Sequence, residues 1–157
     1  IFMQIKDLMT KKVLSVKPTD TVNAVADVLA EHHFTGVPVV DDEGKLLGTI
    51  SERDFIASDS KIYLPTYIKL LTEFDFIKHD EKRLSPEVQN IINATAADIM
   101  NPEPVTASAD MDIESLAKLF GEKRVNPIPV VDSDNKLIGI ISRSDLIKLF
   151  SLKHLQV

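Results

Sequence analysis

Apolar residues follow two rhythms along this chain, and the whole pattern comes twice. After Thr21, the positions Val22, Val25, Ala26 and Leu29 keep the three-and-four spacing of one helix face. After Asp112, the positions Ile113, Leu116, Ala117 and Phe120 do the same. Thr21 and Asp112 each carry a side-chain oxygen suited to accept from an unpaired N–H of a first helical turn, so both predict N-caps. Each helix leads into an apolar run, Val37-Pro38-Val39-Val40 or Ile128-Pro129-Val130-Val131, which predicts a strand. Turn chemistry follows at Asp42-Glu43-Gly44 and Ser133-Asp134-Asn135. The next strands are Leu46 to Ile50 and Leu137 to Ile141, and a final helix starts at Ser51 or Ser142. A further short strand is predicted ahead of each long helix, at Val13 to Val16 and at Val105 to Ala107. Short helical turns ending in Asp7-Leu8-Met9 and Asp98-Ile99-Met100 open the two stretches, the second with Thr95 and Asp98 at capping-box spacing.

The stretches superpose without a gap at an offset of 91 positions. Between 5–56 and 96–147 there are 15 identities in 52 positions, and 11 of them fall between Pro38 and Ile56, so the second half of the unit is held most nearly constant. The predicted unit is β-α-β-β-α, with short, nearly wholly apolar strands of the kind that helices cover. A unit of this size buries little surface alone, whereas two related by a pseudo-twofold axis share a core. The expected fold is therefore α+β (α/β-like): one repeat at 5–56, a helical insert at 57–95 and a second repeat at 96–150. The insert is too long for a plain loop. Leu64, Tyr67, Ile68, Leu71 and Phe74 follow helical spacing, and Ser85-Pro86-Glu87 puts proline at a first helical position. Lys78 to Arg83 reads as a solvated joint, while Tyr63, Tyr67, Phe74 and Phe76 cover the core or meet a partner, with burial favoured for large apolar side chains.

Composition narrows the function classes. The chain has 157 residues, 44% hydrophobic and 27% charged, which reads as globular, with no apolar run long enough for a membrane span. Ile1-Phe2-Met3 does not read as a secretory segment, and the absence of cysteine removes disulfides and thiolate metal sites, in keeping with a cytoplasmic setting. A net charge of −6 argues against a nucleic-acid polymer as partner, but a local pocket can differ in sign from the molecule, so a small anion stays open.

The candidate chemistry lies in Ser51-Glu52-Arg53-Asp54 and Ser142-Arg143-Ser144-Asp145. Ser-x-x-Asp at a helix start is close to a capping box, and on that reading both residues serve the helix end. The same geometry suits a ligand: a helix N-terminus favours phosphate, and a carboxylate offers two acceptor oxygens to the vicinal hydroxyls of a ribose. His32-His33 and Lys123-Arg124 end the long helices, where a cation satisfies terminal carbonyls. That reading is preferred for His32 and Lys123; for His33 and Arg124, phosphate contact weighs equally. Adjacent helical positions point about 100° apart, so the two histidines make no metal site. No nucleophile–base pair assembles, and five glycines include no phosphate-binding loop, so the reading is a non-enzyme without catalytic cofactor.

Hydrophobic-Pro-Val-Val-Asp, a turn, then Lys-Leu-hydrophobic-Gly-hydrophobic-Ile-Ser-x-x-Asp, twice in register after an Asp-hydrophobic-Met opening, resembles the CBS domain. Two in tandem resemble a Bateman module. The resemblance covers 5–56 and 96–147, about two thirds of the chain. It implies a regulatory module that binds an adenosyl small molecule, such as AMP, ADP or ATP, in the cleft between the repeats. It also implies a disc-like homodimer and an effector protein or parent-chain domain that receives the signal. Carried over by position, Asp54 and Asp145 would hold ribose hydroxyls. Ser51 and Ser142 would lie near phosphates, with Arg53 or Arg143 as charge partners. The backbone around Val16 and Val37 would frame adenine in one pocket, and that around Ala107 and Ile128 in the other. Thr35 and Asn126 would add polarity at the mouths, with Gly36, Pro38, Thr106 and Pro129 completing the two sets.

The positions before each hydrophobic-Pro pair, basic in family members that hold several phosphates, are here the neutral Thr35-Gly36 and Asn126-Pro127. Pro127 lacks an N–H, so the second pocket loses a donor that the first keeps at Gly36. The first pocket is expected to bind better, and its ligand to carry few phosphates. Two other classes stay open: a dimerisation scaffold with empty clefts, and a divalent-cation sensor built on Asp41, Asp42, Glu43, Asp132 and Asp134, whose carboxylates turn chemistry also explains.

Overall fold

The computed structural model describes residues 3–56, 86, 89–90 and 93–153. Most of the expected helical insert, including Tyr63, Tyr67, Phe74 and Phe76, lies outside the described residues, while Pro86, Gln89 and Asn90 have helical backbone. The first stretch contains α1 (Ile5–Leu8), α2 (Val22–His32), β1 (Gly36–Val40), β2 (Leu46–Ser51) and α3 (Arg53–Ile56). The second contains α4 (Ala96–Ile99), α5 (Ile113–Lys123), β3 (Ile128–Val131), β4 (Leu137–Ile141) and α6 (Arg143–Lys153). The class is α+β, as the sequence predicts.

The long helices begin where their caps stand. Thr21 Oγ1 accepts from the Ala24 N–H at 3.2 Å, and Asp112 Oδ1 accepts from the Ser115 N–H at 2.8 Å. The bond from the Ser115 backbone, with a second from its hydroxyl, holds the Asp112 carboxyl below the ordinary aspartate range. Both helices end on a residue in left-handed conformation, His33 (φ 53°) and Arg124 (φ 52°). β1 pairs antiparallel with β2 and β3 with β4, each with an irregularity before its last rung, between Val39 and Val40 or between Val130 and Val131.

The strands expected at 13–16 and 105–107 contract to one parallel bridge each. Val16 N–H donates to the Pro38 carbonyl and its own carbonyl accepts from Val40 N–H, both at 3.0 Å; Ala107 makes the same pair with Pro129 and Val131. The next rung back would need an N–H from Pro38 or Pro129, and proline has none.

The main departure from a simple pair of units lies in the opening turns, which pack on the opposite unit. Ile5, fully buried, joins the core of Ala107, Leu116, Phe120, Ile128, Val130 and Ile141. Ala96 and Ile99 join the core of Val16, Val22, Val25, Leu29, Val37, Val39, Ile50 and Phe55. Each buried isoleucine contributes about 1.5–3 kcal/mol of transfer free energy to the unit it has crossed to. Backbone bonds repeat the exchange symmetrically. Ile5 and Lys6 donate to the carbonyls of Met111 and Ala109, and Ala96 and Ala97 donate to those of Asp20 and Pro18. Thr10 pairs both ways with Ile140, as Asn101 does with Thr49. At the hairpin turns, Leu46 N–H donates to the Asn135 carbonyl and Leu137 N–H to that of Gly44, at 3.0 Å each.

Glycines make room for the crossing. A Cβ on Gly48 would stand 2.5 Å from the Asn101 carbonyl oxygen and 2.8 Å from Met100 Sδ, and one on Gly139 would run into Met9 Sδ. The Asp-hydrophobic-Met openings and the Lys-Leu-hydrophobic-Gly strands are thus halves of one contact. Gly48→Ala should lower stability by about 1–3 kcal/mol, because the Asn101 backbone must move. Gly121→Ala, in the exposed interior of α5 with nothing within 4 Å, should raise it by roughly 0.5–1 kcal/mol. Urea unfolding of both variants checks this; equal effects would remove the close-contact account.

Candidate functional site

Because each opening turn crosses over, the space between the units is walled by both. Two cavities lie there, of about 480 and 500 Å³, within the size range of small-molecule sites. They share Thr35, Gly36, Asn126, Pro127 and Ile140 as a partition. The pseudo-equivalent Thr35 and Asn126 bond to one another across it, Asn126 Nδ2 donating to Thr35 Oγ1 at 3.1 Å and Thr35 Oγ1 to the Asn126 carbonyl at 3.3 Å. Gly36 packs against Pro127, where a Cβ would come within 3.0 Å of Pro127 Cδ. Gly36 and Pro127 therefore face both cavities, rather than one each as the sequence suggests.

The first cavity gathers Thr35, Gly36, Val37, Pro38, Ser51, Arg53, Asp54, Arg124, Asn126, Pro129 and Arg143 of the expected residues. The second gathers His33, Thr35, Gly36, Asn126, Ser142 and Asp145. Val16, Thr106, Ala107 and Ile128 line neither of these two; the side chains of Val16, Ala107 and Ile128 belong to the hydrophobic cores. Residues without a sequence signal also appear. Asn101, from the exchanged opening, and Lys123, read as a helix-end cation, line the first cavity. Thr10, Lys12, Phe34 and Lys148 line the second, where the rings of His32 and Phe34 stack 5.2 Å apart. The 91-residue offset pairs Thr10 with Asn101, but only the crossing of the openers puts them at the cavities.

The two Ser-x-x-Asp motifs do form capping contacts. Asp54 Oδ2 accepts from the Ser51 N–H at 2.7 Å and its hydroxyl at 3.3 Å; Asp145 Oδ2 accepts from the Ser142 N–H and hydroxyl at 2.8 Å each. One oxygen of each carboxylate is thereby fixed, which orients the other. Asp54 Oδ1 has no protein partner among the described residues. Asp145 Oδ1 accepts from Lys148 Nζ at 3.3 Å. The position 91 before Lys148 is Ala57, which has no such group to offer.

The acidic turns are occupied differently. Asp41 Oδ1 accepts the N–H groups of Glu43 and Lys45, and Asp132 Oδ1 those of Asp134 and Lys136, all at 2.9 Å. Among the described residues, no group of three or more His, Asp or Glu side chains stands together as a cation site. No described helix is long and apolar enough to cross a membrane.

Comparison with known proteins places this geometry. The CBS domain pattern matches residues 5–61 and 96–152. Over 149 residues the chain is 34% identical to CBSX1, a chloroplastic CBS domain-containing protein of Arabidopsis thaliana, covering 90% of this chain and 61% of that protein's length. It is 30% identical over 154 residues to protein MJ1426 of Methanocaldococcus jannaschii, covering 93% of this chain and 90% of that one. The crystal structure of CBSX2 from Arabidopsis thaliana in complex with AMP superposes with a TM-score of 0.70 at 27% identity, over 96% of this chain and 98% of that one. With the repeat matched twice over most of its length, this chain belongs to the CBS domain family and carries the family's unit as a tandem pair.

Proposed function

We propose that this chain is a regulatory module that binds an adenosine-based nucleotide in the first cavity. The observation that carries the reading is Asp54: a carboxylate fixed by Ser51 through one oxygen, with the other unpartnered among the described residues, in a cavity of a size that suits small molecules. A ribose presents two adjacent hydroxyl donors, the complement of such a group. The AMP complex of CBSX2 lends support from a protein of similar fold. Ser51 and Asp54 serve here as cap and ribose ligand, so no bond is made or broken and no catalytic cofactor is involved. Occupancy acts by favouring one arrangement of the two units, because a ligand shifts an equilibrium only as far as it prefers one state. The recipient is an effector protein or a domain of a longer parent chain. A cytoplasmic setting accords with the cysteine-free sequence, and an organellar one with the chloroplastic relative.

The first cavity is the stronger site on this reading. A ribose entering the second must displace Lys148 from Asp145 Oδ1, whereas the first asks for no such displacement. In calorimetric titrations with AMP, Asp54→Ala should weaken the tighter binding event at least tenfold, as expected for loss of a charge-assisted hydrogen bond of about 1.5–3 kcal/mol. Asp145→Ala should leave that event unchanged, and Lys148→Ala should strengthen the weaker one. Equal losses from Asp54→Ala and Asp145→Ala would contradict the ranking of the sites, and no AMP binding to the unaltered chain would remove this ligand.

A homodimer accompanies this reading. Ile147 and Phe150 on α6 are each 66% exposed, and Ile56 on α3, at the position equivalent to Ile147, is 58% exposed. Large apolar side chains grouped on the last helices of both units suit a self-association face. Sedimentation velocity should show a dimer for the unaltered chain and a monomer for Ile147→Lys with Phe150→Lys. A monomer in both cases would remove the dimer.

A further inference from the structure

We infer that the first cavity is built for a nucleoside polyphosphate, a di- or triphosphate in preference to a monophosphate; this rests on the adenosine reading above. Its rim carries four cations, Arg53, Lys123, Arg124 and Arg143, against two carboxylates, Glu52 and Asp54. That surplus of two positive charges lies on a chain of net charge −6, so the local sign is opposite to the global one.

Among the described residues the cations are also uncommitted. The ion pairs among the described residues join Lys6 to Asp110, Lys17 to Asp42, Lys118 to Glu114 and Lys148 to Asp145. None of the four rim cations has a carboxylate partner among the described residues. Like charges gathered at one rim repel each other, and a polyanion relieves that repulsion. Three of the four are arginines, whose planar fork matches phosphate oxygens two at a time.

Their origin in the fold favours a chain of phosphates over a single one. Arg53 opens α3 of the first unit. Lys123 and Arg124 end α5, and Arg143 opens α6, both in the second unit. Arg124 holds left-handed backbone, a conformation an arginine adopts at a cost, at the point where it lines the cavity. Arg143 N–H donates to Asn126 Oδ1 at 2.9 Å, which ties this helix start to the partition. With the ribose held at Asp54, a lengthening phosphate chain gains contacts to successive cations from both units. The neutral Thr35-Gly36 and Asn126-Pro127, which suggested a ligand with few phosphates, form the partition; the charge arrives from helix ends. The second cavity has no arginine in its lining, and one of its two lysines is paired to Asp145.

The test is calorimetry of the full chain with adenosine, AMP, ADP and ATP in magnesium-free buffer, at two salt concentrations. Each added phosphate should tighten binding about fivefold, the value of one close charge pair at water-like screening. The gain should shrink at the higher salt. Arg124→Gln with Arg143→Gln should bring ATP to the affinity of AMP and leave adenosine unchanged, with an unaltered melting temperature; Lys118→Gln, paired to Glu114 away from the cavity, serves as the charge control. AMP, ADP and ATP binding within twofold of one another would overturn the polyphosphate inference while leaving the adenosine reading intact. If none of the four binds, the adenosine reading fails, and inorganic tripolyphosphate decides the remainder. Binding that depends on Arg124 and Arg143 supports the polyphosphate site, and no binding overturns it.

Discussion

The opening turns cross reciprocally, and this exchange sets how the two units meet. Each unit lacks a piece of its own core and receives it from the other: Ile5 goes to the second unit, and Ala96 with Ile99 to the first. Neither core is complete alone, so the two units are held in one register by buried apolar contacts as well as by the backbone bonds that accompany them. The Met9–Gly139 and Met100–Gly48 contacts set how closely each opener lies on its host strand. This fixed register brings Asn126 against Thr35 and creates the two cavities on either side of them.

Much of this is legible in the sequence where the controlling interactions are local. The long helices start at Thr21 and Asp112 because a side-chain oxygen and the N–H groups it caps lie within three residues. The hairpins follow from short apolar runs around Asx turns at Asp41 and Asp132. The contraction of the 13–16 and 105–107 strands is written in Pro38 and Pro129, but only once the partner strand and its direction are known. The crossing is different. An opener with the pattern Asp-hydrophobic-Met fits the glycine of either unit equally well, because both units carry that glycine. Nothing in the local pattern selects the host, and the assignment of cavity residues inherits that ambiguity. Asn101 and Thr10 carry no cavity signal in the sequence for this reason, and Lys123 carries none because a cation at a helix end already has a sufficient local explanation.

The same symmetry that builds two cavities also makes their differences informative. Glu52-Arg53 stands opposite Arg143-Ser144, Ala57 opposite Lys148, and Gly36 opposite Pro127. The shared backbone supplies two Ser-x-x-Asp caps with the same geometry, so the contrast in chemistry comes from these few side chains. Among the described residues one carboxylate keeps an open oxygen within a cationic rim, and the other is met by its own helix. A duplicated fold thus carries two unlike cavities, and on the reading proposed above a ligand spanning both units at one of them would bias how the units sit together.

The decisive measurement is a crystal structure of the chain with bound ATP. Nucleotide density is expected in the first cavity, with the ribose hydroxyls on Asp54 Oδ1 and the phosphates against Arg124 and Arg143. Nucleotide lying outside the space between the units, or a ribose held without Asp54, would contradict this expectation.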